Sequence, residues 1–192
     1  MAGPLPEVEE GAVAAAVRRA EIAWRSIVPA GARADALWRH GRRVGSALSE
    51  NAGEQARSLA AAAALHEIGW FVRDRGHFAV RGARWVAAHL DDILAAPTPD
   101  ERRLVGELIL FHRHRGVLPP DLIDPDAVER FRTMEEADRH PPPGPVGGRE
   151  ADLLAAFPRG ALRATNWTLA LGEWLRHPLT GGGARQIQRP AR

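Results

Sequence analysis

The sequence predicts an all-α fold, a helical bundle of about six core helices plus a C-terminal helical extension. Apolar residues recur at spacings of three and four through successive segments, as on the buried face of an amphipathic helix. No segment shows the period-two alternation typical of a β-strand, and no internal repeat is visible. With 192 residues, of which 45% are hydrophobic, the chain is long enough to bury the core of one domain.

Three helices are predicted in the first part of the chain. The first covers about residues 7–28 and is ended by a proline–glycine break. The second covers about residues 33–50 and carries His40 on its apolar stripe. The third begins at a predicted cap in residues 51–54 and continues through the most apolar run of the chain to about residue 71.

Three further helices are predicted in the next part of the chain. The fourth begins near His77, after a connection that contains glycine. The fifth begins at residues 98–101, where threonine is the N-cap, proline is the first helical residue and glutamate closes a capping box, and it ends at Gly116. The sixth begins at residues 124–125. Its predicted buried stripe holds Val128, Phe131, Met134 and Asp138.

These segments predict one main domain followed by a short extension. Residues 1–140 form the helical domain, and residues 141–149 are a Pro/Gly-rich linker that cannot be helical. Residues 150–178 are predicted to form the helical extension. Residues 179–192 are rich in glycine and arginine with little to bury, which predicts a disordered tail.

Composition limits the chemistry that is available. The chain has no cysteine, so any metal must be held by histidine, aspartate or glutamate. All 26 basic residues are arginine and the net charge is only +2, so the high isoelectric point is no argument for nucleic-acid binding. No glycine-rich phosphate loop, nucleophile elbow or nucleic-acid-reading motif is present.

The sequence also predicts a soluble, cytoplasmic protein without membrane association. The N-terminal segment is acidic and lacks the basic and apolar regions of a secretory signal. No run of the chain approaches the ~18 consecutive apolar residues of a membrane-spanning helix.

Several chemistry-bearing residues fall on inward positions of different predicted helices. One inward histidine is more often a hydrogen-bonded core residue than a ligand, but several on facing helices favour a shared site. Imidazole and carboxylate ligands suit Mn, Fe, Zn or Ni, and this number of ligands is enough for one or two ions. The candidate metal ligands are His40, His66, Glu67, His77, His112 and Asp138.

The order of these residues (His, then His-acid, then two His, then Asp) resembles that of the HD-domain superfamily of helical metal-dependent phosphohydrolases. Within it, ALHEIGWFVRDRGHFAVRGARWV followed by ERRLVGELILFHRHRG is most similar to the HD-like domain of exopolyphosphatase/guanosine pentaphosphate phosphohydrolase proteins. The resemblance covers about residues 37–138. It departs from the family pattern at Glu67, where the family has aspartate.

The resemblance implies a phosphohydrolase that uses a metal-bound hydroxide to attack a phosphorylated small molecule or nucleotide. His40, His66, Glu67 and Asp138 would hold a first ion, and His77 and His112 would help to hold a second. Glu67, Asp138 and His77 would be the catalytic residues. Arginines cluster beside these positions, and Arg43 and Arg84 are the predicted substrate-binding pair because each lies close in sequence to a predicted ligand.

Two alternatives keep the same fold. Some members of the superfamily use a di-iron pair with dioxygen, which would make this protein an oxygenase. The Glu67 departure is instead compatible with a catalytically degenerate module that binds a nucleotide or a protein partner. A homodimer is a further possibility, because an apolar stripe with Trp167 and Trp174 can cover either this chain or a second subunit.

Overall fold

The computed structural model describes residues 11–114 and 116–139, and these residues form an all-helical bundle. No strand is present among them, which confirms the predicted fold class. The predicted linker, C-terminal extension and tail lie outside the described residues. The helices are α1 (Ala12–Ile27), α2 (Ala32–Ser49), α3 (Ala56–Leu65), α4 (Phe78–Ile93), α5 (Pro99–Phe111) and α6 (Pro125–Arg139).

Helix α3 is the centre of the bundle. Every one of its residues from Ser58 to Leu65 is buried, and it packs against α1, α2 and α5. Its run of alanines leaves room for close neighbours, and α2 approaches it at Gly41, where an added Cβ would lie 2.6 Å from the carbonyl oxygen of Ala63. This contact fixes α2 and the end of α3 relative to each other.

Helix α3 is shorter than the prediction at both ends. Its N-terminus has no side-chain cap, because Asn51 adopts a left-handed φ of 61° and residues 53–55 form a 3₁₀ turn instead. At the other end the helix stops at Leu65 and a second 3₁₀ turn, Ile68–Trp70, follows. The apolar pattern of the sequence continues through this turn, so the pattern could not show where the helix ends.

A tertiary contact at Gly69 explains why the chain turns there. An added Cβ at Gly69 would lie 1.9 Å from the carbonyl oxygen of Phe78, so only glycine allows the turn to lie against the start of α4. The turn places His66 and Glu67 between α3 and α4, at the junction with α5 and α6.

Helix α5 begins as predicted and ends early. The backbone N–H of Glu101 donates to the Thr98 hydroxyl at 3.1 Å, and the Glu101 carboxylate accepts from the Thr98 N–H at 2.9 Å, which completes the capping box. The last helical residue is Phe111 rather than Gly116, because the N–H of His114 bonds back to the Phe111 carbonyl in a tighter turn. His112 therefore lies at the helix end.

Helix α6 closes the bundle by packing against α2 and α5. Its buried residues are Ala127, Val128, Phe131 and Glu135. Within residues 11–114 and 116–139, no helix has the length and apolar character needed to cross a membrane.

Candidate metal centre

Three segments of the bundle bring four buried residues together. His40 comes from α2, His66 and Glu67 from the end of α3, and Glu135 from α6. Each of them offers one ligand atom, and these atoms all lie within 4.8 Å of one another. A buried group of this kind, with two imidazoles and two carboxylates, can hold a metal ion.

His66 and His112 are oriented in the same way at the ends of their helices. The Nδ1–H of His66 donates to the carbonyl oxygen of Ala63 at 2.6 Å, and that of His112 donates to Ile109 at 2.6 Å. A carbonyl only accepts, so Nδ1 carries a proton in each ring, and in the neutral ring the lone pair is then on Nε2. Both Nε2 atoms are buried, and neither has a hydrogen-bond partner among the described residues.

His40 has the same tautomer by a different contact. Its Nδ1–H donates to the carboxylate of Asp138 at 2.6 Å, and its buried Nε2 also lacks a hydrogen-bond partner within the described chain. Asp138 is in turn held by the Arg43 guanidinium through two bonds of 2.7 and 2.8 Å. Burial alone would raise the pKa of Asp138, but the bonds from His40 and Arg43 hold it below its ordinary value.

The three imidazoles share one small volume. The ring centroid of His66 lies 5.1 Å from that of His40 and 4.8 Å from that of His112, and Phe131 packs against His66 at 5.3 Å. Burial lowers the pKa of His40 and of His112. Both rings are therefore held in the neutral form that binds metal.

Glu67 is the most heavily bonded carboxylate of the group. Its Oε2 accepts a 2.6 Å bond from the indole of Trp70, and its Oε1 accepts from both Arg113 and Arg139. The same Oε1 lies 3.3 Å from the Nε2 of His66. Burial opposes ionisation of Glu67, but the charge of Arg113 and the neighbouring His66 outweigh it and hold its pKa well below the usual range.

Glu135 faces the same two arginines from α6. Its Oε1 pairs with the Nε of Arg139 and lies 3.3 Å from the Nε of Arg113. It also lies 4.0 Å from the Nε2 of His40. Burial raises the pKa of Glu135 to about 8, against the opposing charge of Arg113.

The structure places the other predicted site residues differently. Asp138 lies on the Nδ1 side of His40, so it orients the ring instead of joining the four grouped residues. Arg43 binds Asp138, and Arg84 lies 3.8 Å from the carboxylate of Asp74. Neither arginine is part of the arginine pair that faces Glu67 and Glu135.

His77 is the N-cap of α4, and it is not one of the four grouped residues. Its Nδ1 accepts the backbone N–H of Ala79 at 3.3 Å, so in the neutral ring the proton lies on Nε2. This tautomer is opposite to that of His40. Burial first, and then the charges of Arg113 and Arg81, lower the pKa of His77 to about 4.

Sequence reasoning missed Glu135 and the roles of Arg113 and Arg139. The signal for Glu135 was present, because Val128, Phe131 and Glu135 follow one another at spacings of three and four. The prediction instead assigned Met134 to that stripe. Arg113 lies next to His112, among the arginines that cluster beside the predicted ligands, but Arg43 and Arg84 were chosen as the substrate-binding pair. Arg139 had no local signal, since every one of the 26 Lys/Arg positions of the chain is arginine.

Comparisons with known proteins add no assignment to this geometry. No family model matches the chain, and no curated protein and no solved structure matches it. The HD-domain resemblance therefore stays a prediction, and the site must be interpreted from its own residues.

Proposed function

We propose that the protein is a metal-dependent phosphohydrolase that acts on a phosphorylated small molecule or nucleotide. One observation carries the proposal. The Nε2 atoms of His40, His66 and His112 are buried without hydrogen-bond partners in the described chain, next to the carboxylates of Glu67 and Glu135. A buried nitrogen lone pair without a partner is costly, and a cation bound by the grouped residues would satisfy the Nε2 atoms of His40 and His66.

The donor set fits a divalent transition metal. Imidazoles with fixed Nδ1–H bonds and adjacent carboxylates suit Mn, Fe, Zn or Ni. His40, His66, Glu67 and Glu135 would hold an ion, with His112 as a further ligand beside His66. A bound ion would supply Lewis-acid catalysis and a lower pKa for a coordinated water.

Two arginines beside the carboxylates favour a phosphate-bearing substrate. Arg113 and Arg139 have 14% and 10% of their side chains exposed, so both lie between the buried group and the surface. The planar guanidinium group matches the oxygens of a phosphate in pairs. In hydrolysis, water would form the new P–O bond, the bond to the leaving group would break, and charge on the phosphoryl oxygens would be stabilised by these arginines.

A second candidate is a binding module in which the arginines take the place of the metal. It is favoured by the contacts of Glu67, whose Oε1 accepts from Arg113 and Arg139 together. Two guanidinium groups already neutralise the carboxylates in this arrangement. Such a module would need no ion to fold or to bind a partner.

The test combines metal content with product release. We expect protein loaded with Mn, Fe or Zn to retain about one or two ions per chain after dialysis and to release phosphate from a panel of phosphomonoesters and nucleotides. His66→Ala should lose both properties. His89→Ala is the matched control, because His89 stacks on Trp85 in α4, and it should keep both.

Each other outcome points to a different function. Metal-free protein that takes up no Mn, Fe or Zn would contradict the hydrolase and support the binding module. Oxygen uptake by the iron-loaded protein without phosphate release would instead support a di-iron oxygenase.

A further inference from the structure

In each of the two carboxylates, Glu67 and Glu135, one oxygen atom lies near both an arginine and a histidine. The Oε1 of Glu67 accepts from Arg113 and Arg139 and also lies 3.3 Å from the Nε2 of His66. The Oε1 of Glu135 pairs with the same arginines and lies 4.0 Å from the Nε2 of His40. These two oxygen atoms therefore lie between two parts of the site. The Nε2 atoms of the histidines are on one side, and the guanidinium groups of Arg113 and Arg139 are on the other.

A cation and the two arginines would share these oxygen atoms. An ion bound by the Nε2 atoms of His40 and His66 would take oxygens of Glu67 and Glu135 as further ligands and would draw on the negative charge of Glu67. Arg113 and Arg139 would then lose much of the charge that they neutralise. Guanidinium groups that lose part of the carboxylate charge beside them can pair with another anion.

We propose that Arg113 and Arg139 form a phosphate-binding pair that is blocked by Glu67 and Glu135 in the metal-free protein and becomes available when a divalent ion binds. This inference rests on the proposed function, and it adds the residues that bind the phosphate and the condition under which they bind it. Arg43 and Arg84, the pair predicted from the sequence, have their own partners in Asp138 and Asp74.

Arg113 is held in place by a contact that does not depend on the carboxylates. Its guanidinium carbon lies 5.1 Å from the centroid of the Phe78 ring, in the range of a cation–π interaction. The Phe78 ring stacks on Trp70, with ring centroids 4.2 Å apart and an angle of 13° between the planes. Arg113 therefore keeps its orientation when Glu67 binds an ion, and its guanidinium N–H groups stay in position to bind an oxyanion.

In this arrangement the binding of the ion and the binding of phosphate are coupled, because both depend on the same carboxylates. If the ion displaces the arginines from the carboxylates, it must raise the affinity for phosphate, and phosphate must raise the affinity for the ion by the same factor. Coupling between sites in proteins typically amounts to about 5- to 150-fold in affinity. We expect an effect in this range because the two sites share the same two carboxylates.

Equilibrium dialysis with radiolabelled inorganic phosphate tests the proposal on full-length protein, with metal content measured on the same samples. Zinc- or manganese-loaded protein should bind phosphate at least about fivefold more tightly than metal-free protein. Arg113→Gln and Arg139→Gln should each weaken phosphate binding to the loaded protein and strengthen metal binding, because a competitor for Glu67 is removed. A merely structural role would weaken both.

The controls separate this inference from the proposed function. Arg25→Gln, in the exposed pair with Glu21 on α1, should change neither affinity. If Arg113→Gln fails to fold, Arg113→Lys keeps the charge without the planar fork and should still bind phosphate more weakly than wild type. Equal phosphate affinity with and without bound metal, or undiminished phosphate binding by both arginine variants, would overturn the inference alone. Failure of wild type to take up metal would overturn the proposed function.

Discussion

At the scale of single residues, two carboxylates of α6 have different partners although they lie three positions apart. Glu135 is buried with its Oε1 near the Nε2 of His40, whereas Asp138 accepts the Nδ1–H of the same ring at 2.6 Å. A carboxylate that accepts from the far nitrogen fixes the tautomer of the ring and increases its basicity toward a metal. We therefore treat Glu135 as a ligand and Asp138 as a positioning residue.

This distinction predicts different results for the two amide variants. Asp138→Asn should keep the number of ions per chain and weaken metal binding about 10- to 100-fold, the usual effect of losing such a supporting partner. Glu135→Gln should lose a ligand and weaken binding further. Competition with a chromogenic chelator measures both affinities, and a greater loss for Asp138→Asn than for Glu135→Gln would reverse the two roles.

Part of the site could be predicted at this scale and part could not. His40, His66 and Glu67 were recognised because polar residues on apolar stripes need a partner, and the structure groups them. The distinction between ligand and positioning roles depends on which ring nitrogen faces which carboxylate. That geometry is set by contacts between helices, so the sequence spacing on α6 could not supply it.

At the scale of elements, one ion pair links the start of α3 to the start of α5. Arg57 at the start of α3 binds Glu101 of α5 through two bonds of 2.7 Å, and Ser58 donates to the same carboxylate at 3.1 Å. Glu101 is also the third residue of the capping box with Thr98. The bond from Arg57, partly opposed by burial, lowers the pKa of Glu101 to about 2.

The low pKa makes the stability of this connection depend on pH. A carboxylate whose pKa falls on folding, here from 4.5 to about 2, stabilises the fold fully above the higher value and loses that contribution as pH falls toward the lower one. Glu101→Gln keeps an acceptor for the cap and removes the charge. Allowing for solvent screening of the pair, it should cost about 1–2 kcal/mol at neutral pH.

Urea unfolding of wild type and Glu101→Gln across acidic pH tests this expectation. The difference in unfolding free energy should shrink as pH falls from 4.5 to about 2. The Arg25→Gln variant on α1 serves as a control for an exposed pair and should differ little from wild type at any pH. A difference for Glu101→Gln that stayed constant over this range would show that the charge of Glu101 is not responsible.

The start of α5 was more predictable than the end of α3 for a physical reason. The start of α5 is encoded locally by Thr98, Pro99 and Glu101, whose side chains satisfy the free backbone groups. The end of α3 is decided by Gly69, which lies against the Phe78 backbone of another helix. An apolar pattern that continues past Leu65 carries no information about that contact.

At the scale of the whole molecule, the bundle holds the three histidines with their unpartnered Nε2 atoms in one buried volume. Each of them comes from a different helix or helix end, and each has its Nδ1–H fixed by an Ala63, Ile109 or Asp138 oxygen. The all-α fold was predictable from hydrophobic periodicity alone. The convergence of the three imidazole rings depends on how α2, α3, α5 and α6 pack together.

X-ray absorption spectroscopy of the zinc-loaded protein tests this convergence most directly, because imidazole ligands give characteristic outer-shell scattering. We expect two or three histidine nitrogens at ~2.0–2.1 Å from the ion, together with carboxylate oxygen. His112→Ala should remove scattering from one imidazole if His112 is a ligand, and His89→Ala should leave the spectrum unchanged. A bound ion surrounded by oxygen ligands alone, or no retained ion, would contradict the account.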